Sequence, residues 1–366
     1  MRGQLPDYPW DAMAPYAAEA ASHPDGALNL SVGSPVDPSP ESVRDALANA
    51  TDAHAYPATA GSAPLRAAIA EWFLRRRGVT VAPDAVLPTV GSKELVALLP
   101  FLLGIGAGEA VVFPRIAYPS YAMGAALVGA DAIAADDPAD WPEHTRLVWV
   151  NSPSNPDGRV LDTERLRAAV ARARELGAVI AGDECYAEFG WDAPWDGQRI
   201  PSILDPAVVG DSHEGVLSVY SLSKQSNLAG YRAAFLAGDP ELVAQLLTVR
   251  KHAGLMLPAP VQAAMIAALA DEAHVAEQRE RYRARRDVLR PALEAAGFRI
   301  EGSEAGLYLW ATRGADAWES VAEFAKLGIV VGPGHFYGDH SPQHVRLALT
   351  ASDTDISAAA SRISAA

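Results

Sequence analysis

Ser221-Leu222-Ser223-Lys224-Gln225-Ser226-Asn227-Leu228-Ala229-Gly230-Tyr231-Arg232 decides how the rest of this chain is read. It follows Val216-Leu217-Ser218-Val219-Tyr220, a β-branched and aromatic run that reads as a buried strand opening into a polar loop. Of the 30 basic residues only four are lysines (Lys93, Lys224, Lys251 and Lys326), and the other 26 are arginines. A lysine in this loop therefore points to a use for its amine, because only lysine sheds its proton near neutral pH. A free amine attacks a carbonyl to form a Schiff base, the bond by which proteins hold pyridoxal phosphate. Ser221 and Ser223 precede the lysine and Arg232 follows it by eight residues, groups suited to a phosphate. Taken alone, the stretch fits a solvated surface loop equally well.

At 366 residues and 49% hydrophobic, the chain can bury one large core and a smaller one. A formal charge of −15 and a pI near 5.0 argue against nucleic acid or an anionic membrane as default partners. The single cysteine, Cys185, excludes an internal disulfide and fits a reducing compartment. No basic segment followed by an apolar one opens the sequence, so a cytoplasmic location is expected. The most apolar run, Leu95 to Gly108, is too short to span a bilayer and reads as a buried helix.

Ser-x-Ser-Lys followed by Gly-Tyr-Arg resembles the lysine motif of the fold-type I aminotransferases, the aspartate aminotransferase superfamily. The fuller wording, Ser-Leu-Ser-Lys-x-Ser-Asn-Leu-Ala-Gly-Tyr-Arg, resembles the succinyldiaminopimelate aminotransferases of actinobacteria. The resemblance continues in order along the chain. Gly33, in Val32-Gly33-Ser34-Pro35, matches a loop glycine whose backbone meets the substrate α-carboxylate, although by itself it is an ordinary Gly/Pro turn. Tyr56, ahead of Gly61 and Leu65-Arg66, matches a tyrosine that reaches the phosphate of the partner subunit, which implies a homodimer. Gly91, Ser92 and Lys93 open the apolar helix, and a glycine turn at a helix N-terminus offers free N–H groups to a phosphate. Tyr118, just before Pro119, takes the place of the aromatic that stacks on the cofactor ring, with a core aromatic as the plainer reading.

Further along, Asn151-Ser152-Pro153-Ser154-Asn155-Pro156-Asp157-Gly158 resembles the family's Asn-Pro-x-Asn-Pro-Thr-Gly signature, departing from it at Ser152 and Asp157. Asn155 is the implied donor to the cofactor's phenolic oxygen and lies beside the substrate. Asp183 matches the aspartate that keeps the ring nitrogen protonated, and Tyr186 the phenol donor, while Glu184 and Cys185 are expected to face elsewhere. Arg346, on the apolar run His344 to Leu349, needs an anion and matches the clamp on the α-carboxylate. Arg250 or Lys251 is weighed as a contact for a distal carboxylate. His335, His340 and His344 lack acidic or cysteine partners at metal-ligand spacing, so no metal is expected.

Strand-like runs alternate with helical ones, which predicts an α/β chain with a mostly parallel sheet. The resemblance implies an aspartate-aminotransferase-like fold: an N-terminal arm and part of the small domain over 1–35, a large pyridoxal-phosphate-binding domain over 36–250, and a linking helix with the smaller α/β domain over 251–366. Helices are expected at Pro40–Ala50, Leu161–Leu176 and Val261–Ala296. Arg75–Arg77 are expected to cap a helix toward solvent, and the arginines of Gln278–Asp287 to form exposed ion pairs. The implied activity is transamination of N-succinyl-2-amino-6-oxopimelate with glutamate, a step of lysine and diaminopimelate synthesis. Aspartate- or alanine-type transamination, a β-lyase acting on sulfur amino acids, and a sensor domain that binds the cofactor without turnover are the alternatives.

Overall fold

The computed structural model describes residues 8–366, so residues 1–7 of the expected N-terminal arm lie outside the described part. Thirteen strands occur among the described residues. They are Leu28–Asn29 (β1), Val86–Val90 (β2), Ala110–Phe113 (β3), Asp131–Ala134 (β4), Thr145–Asn151 (β5), Val179–Asp183 (β6), Val216–Ser221 (β7), Ala233–Gly238 (β8), Arg299–Ile300 (β9), Tyr308–Thr312 (β10), Ile329–Val330 (β11), Gly332–Pro333 (β12) and His344–Ala348 (β13).

Seven of these form one sheet in the order β2-β8-β7-β6-β5-β3-β4. Neighbours are parallel except across β8, which runs antiparallel to both β2 and β7. The polarity has a direct consequence for function. Two reversals restore direction, so β2 ends on the same face as β3, β5, β6 and β7. The reversed strand β8 offers that face its beginning, where Arg232 stands. Strands covered on both sides need apolar residues at every position, and β7 and β8 are buried along their whole length. One apolar cluster on this sheet joins Trp72, Phe73, Tyr220 and Phe235 with Leu166 and Ile180. Another joins Leu95, Leu99, Tyr121 and Trp149 with Leu236 and Leu246.

A second, four-stranded antiparallel sheet has the order β12-β13-β10-β9. β1 pairs in parallel with β11, and Leu30 exchanges backbone hydrogen bonds with Val330 and Ala348, so the segment leading to Gly33 is fixed against the chain's C-terminal third. The apolar cluster there spans Met13, Leu30, Tyr282, Leu309, Trp310 and Leu347.

The expected helices appear as Glu41–Asn49 and Thr163–Glu175, each shorter by a residue or two at its ends. The expected Val261–Ala296 helix is two helices, Ala259–Ala270 and Ala273–Ala295. Asp271 breaks it: its backbone is extended, and its Oδ1 accepts the N–H groups of Ala273 and His274 at 3.1 and 3.4 Å, as a helix cap does. Arg75–Arg77 do close a helical segment, but of the three only Arg75 is exposed as expected. Arg77 is buried against Glu184 at 3.0 Å, and Arg76 is paired with the largely buried Glu188. Within Gln278–Asp287, Arg285 and Arg286 are likewise buried. Arg285 bridges Asp37 and Asp353, and Arg286 meets Asp192 at 2.7 Å.

Candidate active site

The loops that leave the shared face of the large sheet close around a cavity of about 510 Å³. Gly33, Ser92, Lys93, Tyr118, Asn155, Asp183, Tyr186, Ser221, Ser223, Lys224, Arg232 and Arg346 all line it. Two candidates do not. Gly91 is buried beside the Arg232 guanidinium, and Tyr56 is 93% exposed.

At one end sit the groups suited to a phosphate. Ser221 ends β7, its Oγ accepts the Ser223 N–H at 3.2 Å, and the two hydroxyl oxygens are 2.8 Å apart. Arg232 takes a left-handed backbone, φ 55°, and anchors its guanidinium on the Ala229 carbonyl at 2.8 Å. Gly91, at φ 78°, introduces the Ser92–Leu102 helix, and a Cβ on it would overlap that guanidinium. Glycine here thus brings a helix N-terminus against an arginine, a cradle for a dianion.

At the opposite end Asp183 terminates β6. Its Oδ2 accepts the Tyr121 hydroxyl at 2.9 Å and its Oδ1 the Cys185 N–H at 3.2 Å. Burial pushes its carboxyl above the usual range, although the bonds from Cys185 and Tyr121 oppose this. No basic side chain pairs with it among the described residues. A buried carboxylate without a cation is costly, and a protonated ring nitrogen is the partner that would satisfy it.

Asn151 ties the ends of β5 and β6 together. Its amide donates to the Asp183 carbonyl at 2.9 Å, and its Oδ1 accepts the Asn155 N–H at 2.8 Å. Asn155 Oδ1 in turn accepts from Arg346 Nη1 at 2.8 Å, which leaves the Asn155 amide N–H groups to face the cavity. Arg346 comes from β13, donates also to the Ser31 carbonyl at 2.5 Å, and keeps an unpartnered buried Nε. Its guanidinium lies 4.0 Å from the Tyr308 ring centroid and 5.1 Å from that of Tyr337. Lys224 Nζ donates to the Gly33 carbonyl, and desolvation in the cavity pulls the amine below the ordinary lysine value. The donor set fits pyridoxal phosphate at every group: an amine, a dianion cradle, an anion for the ring nitrogen and an aromatic wall.

Several placements correct the sequence reading. Cys185 does not face elsewhere but lines the cavity, whereas Glu184 does turn away, to Arg77, Ser202 and Ile203. Arg250 is no free carboxylate ligand, because it is buried in a two-pronged pair with Glu94 at 2.7 and 3.1 Å. Both departures from the asparagine signature hold the loop: Ser152 Oγ accepts the Leu161 N–H at 2.9 Å, and Asp157 accepts from Ser154. Tyr308, Tyr121, Tyr8 and Trp10 also line the cavity and were not anticipated. Tyr308 and Tyr121 stand among apolar residues on elements that look like plain core; an isolated phenol there was the only signal.

A model of the class I and II aminotransferases matches residues 25–363. The chain is 57% identical over 361 residues to the 4-dedimethylamino-4-oxo-anhydrotetracycline transaminase OxyQ of Streptomyces rimosus, covering 98% of this chain and 99% of that one. It is 32% identical over 370 residues to the LL-diaminopimelate aminotransferase of Desulforudis audaxviator, with 94% and 92% covered. The crystal structure of an aminotransferase from Neisseria meningitidis superposes with a TM-score of 0.89 at 32% identity, covering 99% and 98%. Fold, family model and relatives agree: this chain belongs to the class I and II aminotransferases, enzymes that work with pyridoxal phosphate.

Proposed function

We propose that the chain transfers the amino group of glutamate to N-succinyl-2-amino-6-oxopimelate, and that the named cavity residues divide the work as follows. Ser92, Ser221, Ser223 and Arg232 hold the phosphate, with Gly91 behind them, Lys93 close by and Tyr56 reaching in from the second subunit of a homodimer. Tyr118 covers the ring, Asp183 faces its nitrogen, and Asn155 and Tyr186 donate to its oxygen. When bound, pyridoxal phosphate supplies the electron-withdrawing ring that makes the substrate α-proton acidic. Arg346 grips the α-carboxylate beside Gly33, and Lys224 Nζ moves the proton off the substrate α-carbon as general base and returns it as acid.

The observation behind the substrate is the cavity mouth. Arg250 is committed to Glu94, whereas Lys93 lines the cavity, is exposed and is in no ion pair among the described residues. It sits 5.6 and 5.8 Å from the rings of Tyr8 and Tyr118. A long substrate gripped by Arg346 and ending in a second carboxylate would find in Lys93 a second cation on the lining of the same cavity. The 57% identity to OxyQ favours a second reading, a polycyclic ketone as acceptor, and the aromatic rim of Tyr8, Trp10 and Tyr118 suits a flat substrate. The test is competition between acceptors on the glutamate-charged enzyme. Consumption of N-succinyl-2-amino-6-oxopimelate at least tenfold faster than an anhydrotetracycline ketone supports the first reading, and the reverse order replaces it with the second.

A further inference from the structure

Two phenols meet on the floor of the cavity. The hydroxyl oxygens of Tyr186 and Tyr308 are 3.1 Å apart, and both residues are buried. Tyr186 follows β6 of the large sheet, whereas Tyr308 opens β10 of the small one, paired with Ala348 of β13. Each phenol carries one proton to give. In the protein alone either oxygen can donate. Once the Tyr186 proton is directed at a cofactor oxygen, the 3.1 Å contact survives only if Tyr308 supplies the proton. We propose that Tyr308 is a positioning residue, which donates to Tyr186 and so aims and strengthens the donation Tyr186 makes in turn. This rests on the reading of Tyr186 as the donor to the cofactor ring oxygen.

The surroundings of Tyr308 are built for that role. The Arg346 guanidinium lies over one face of the ring, 4.0 Å from its centroid. On the other approach Gly33 has no Cβ, and any Cβ there would collide with the Tyr308 hydroxyl. The ring therefore cannot swing away from Tyr186 without leaving its slot. The same Gly33 offers its carbonyl to Lys224, so the phenol stands beside the reacting amine. Burial alone would push the Tyr308 phenol up, but the charges of Arg346 and Lys224 together with the hydrogen bond to Tyr186 hold it below its ordinary value. Burial pushes Tyr186 well above its own. Successive hydrogen bonds polarise one another, so a donor behind Tyr186 strengthens the donation Tyr186 makes.

Tyr308→Phe removes the hydroxyl and keeps the ring under Arg346. The readout is the pH midpoint at which the absorbance of the lysine-bound cofactor changes, measured on the holoenzyme without substrate. A donated proton stabilises the oxygen anion left at high pH, so losing a donor raises the midpoint. Tyr186→Phe is expected to raise it most. Tyr308→Phe is expected to raise it by about 0.5 to 1 pH unit, the size of one uncharged hydrogen bond. The double variant should move no further than Tyr186→Phe, because Tyr308 acts through Tyr186. A Tyr308→Phe midpoint equal to wild type, with Tyr186→Phe shifted, overturns the proposal alone. Fully additive shifts overturn it too. If Tyr186→Phe does not shift the midpoint, the reading of Tyr186 fails and takes this inference with it.

Discussion

Replacing Asp183 by asparagine should have opposite effects on the apoprotein and on cofactor binding. Asparagine keeps the shape: its oxygen can accept the Cys185 N–H, 3.2 Å from Oδ1 in the wild type, while its amide donates to the Tyr121 hydroxyl oxygen, 2.9 Å from Oδ2, which can turn to accept. What is lost is a charge with no cation beside it in the protein. Because burial raises the Asp183 pKa, its charged form costs stability above the unfolded carboxylate value of 3.8, and that cost vanishes as pH falls below it. Removing the charge at pH 7 should stabilise the apoprotein by about 1–2 kcal/mol, the scale of a buried, incompletely satisfied polar group. With an unfolding entropy of about 0.8 kcal/mol/K for a chain of this length, the apoprotein Tm rises by about 1–3 °C. Cofactor affinity should move the other way. Losing a charge-assisted bond worth about 1.5–3 kcal/mol weakens it roughly 10- to 100-fold. Differential scanning calorimetry of hydroxylamine-treated protein and titration with pyridoxal phosphate read the two effects separately. An apoprotein that loses stability, or a variant that binds the cofactor as tightly as wild type, would refute the reasoning.

Glu184→Ala should destabilise the fold by about 3–5 kcal/mol in urea unfolding, since it strands the buried Arg77 and orphans the Ser202 and Ile203 donors at 2.9 and 2.6 Å. A loss under about 1 kcal/mol would mean that water reaches Arg77 after all. Cys185 is buried, and burial pushes its thiol well above the ordinary value; the folded holoenzyme should resist maleimide at pH 8 and take one equivalent in urea. Fast stoichiometric labelling of the native protein would contradict its placement in the cavity wall. Arg250→Leu should unfold the protein more easily without a selective rise in KM for dicarboxylic substrates, because Arg250 answers Glu94. A selective KM effect with unchanged stability would return Arg250 to the substrate.

The parts of the site that were legible in the sequence are those where chemistry and position coincide. Asp183 ends a strand, and Asn155 and Lys224 lie within four residues of the end of one; in a parallel sheet strand ends converge whatever the loops look like. The helix break at Asp271 was missed: an aspartate before Glu272-Ala273 is a capping signal, but the run of helix formers on either side masked the stop. Long-range pairing was not legible. Arg77 and Glu184 are 107 residues apart, and Arg285 and Asp37 are 248 apart, so nothing local separates these arginines from solvated ones. Tyr308 illustrates the same limit, since its role depends on a hydroxyl 122 residues away and on the missing Cβ of Gly33.

The account turns on Lys224, and four lysines in the chain make it directly testable. Borohydride reduction of the yellow holoenzyme, followed by peptide mass analysis, locates the lysine that carries the cofactor. The account predicts a single labelled peptide containing Lys224, and loss of that label when L-glutamate is added before the borohydride, because the amino group has then been transferred. A label on Lys93, Lys251 or Lys326, or a Lys224 label that glutamate leaves intact, would contradict it.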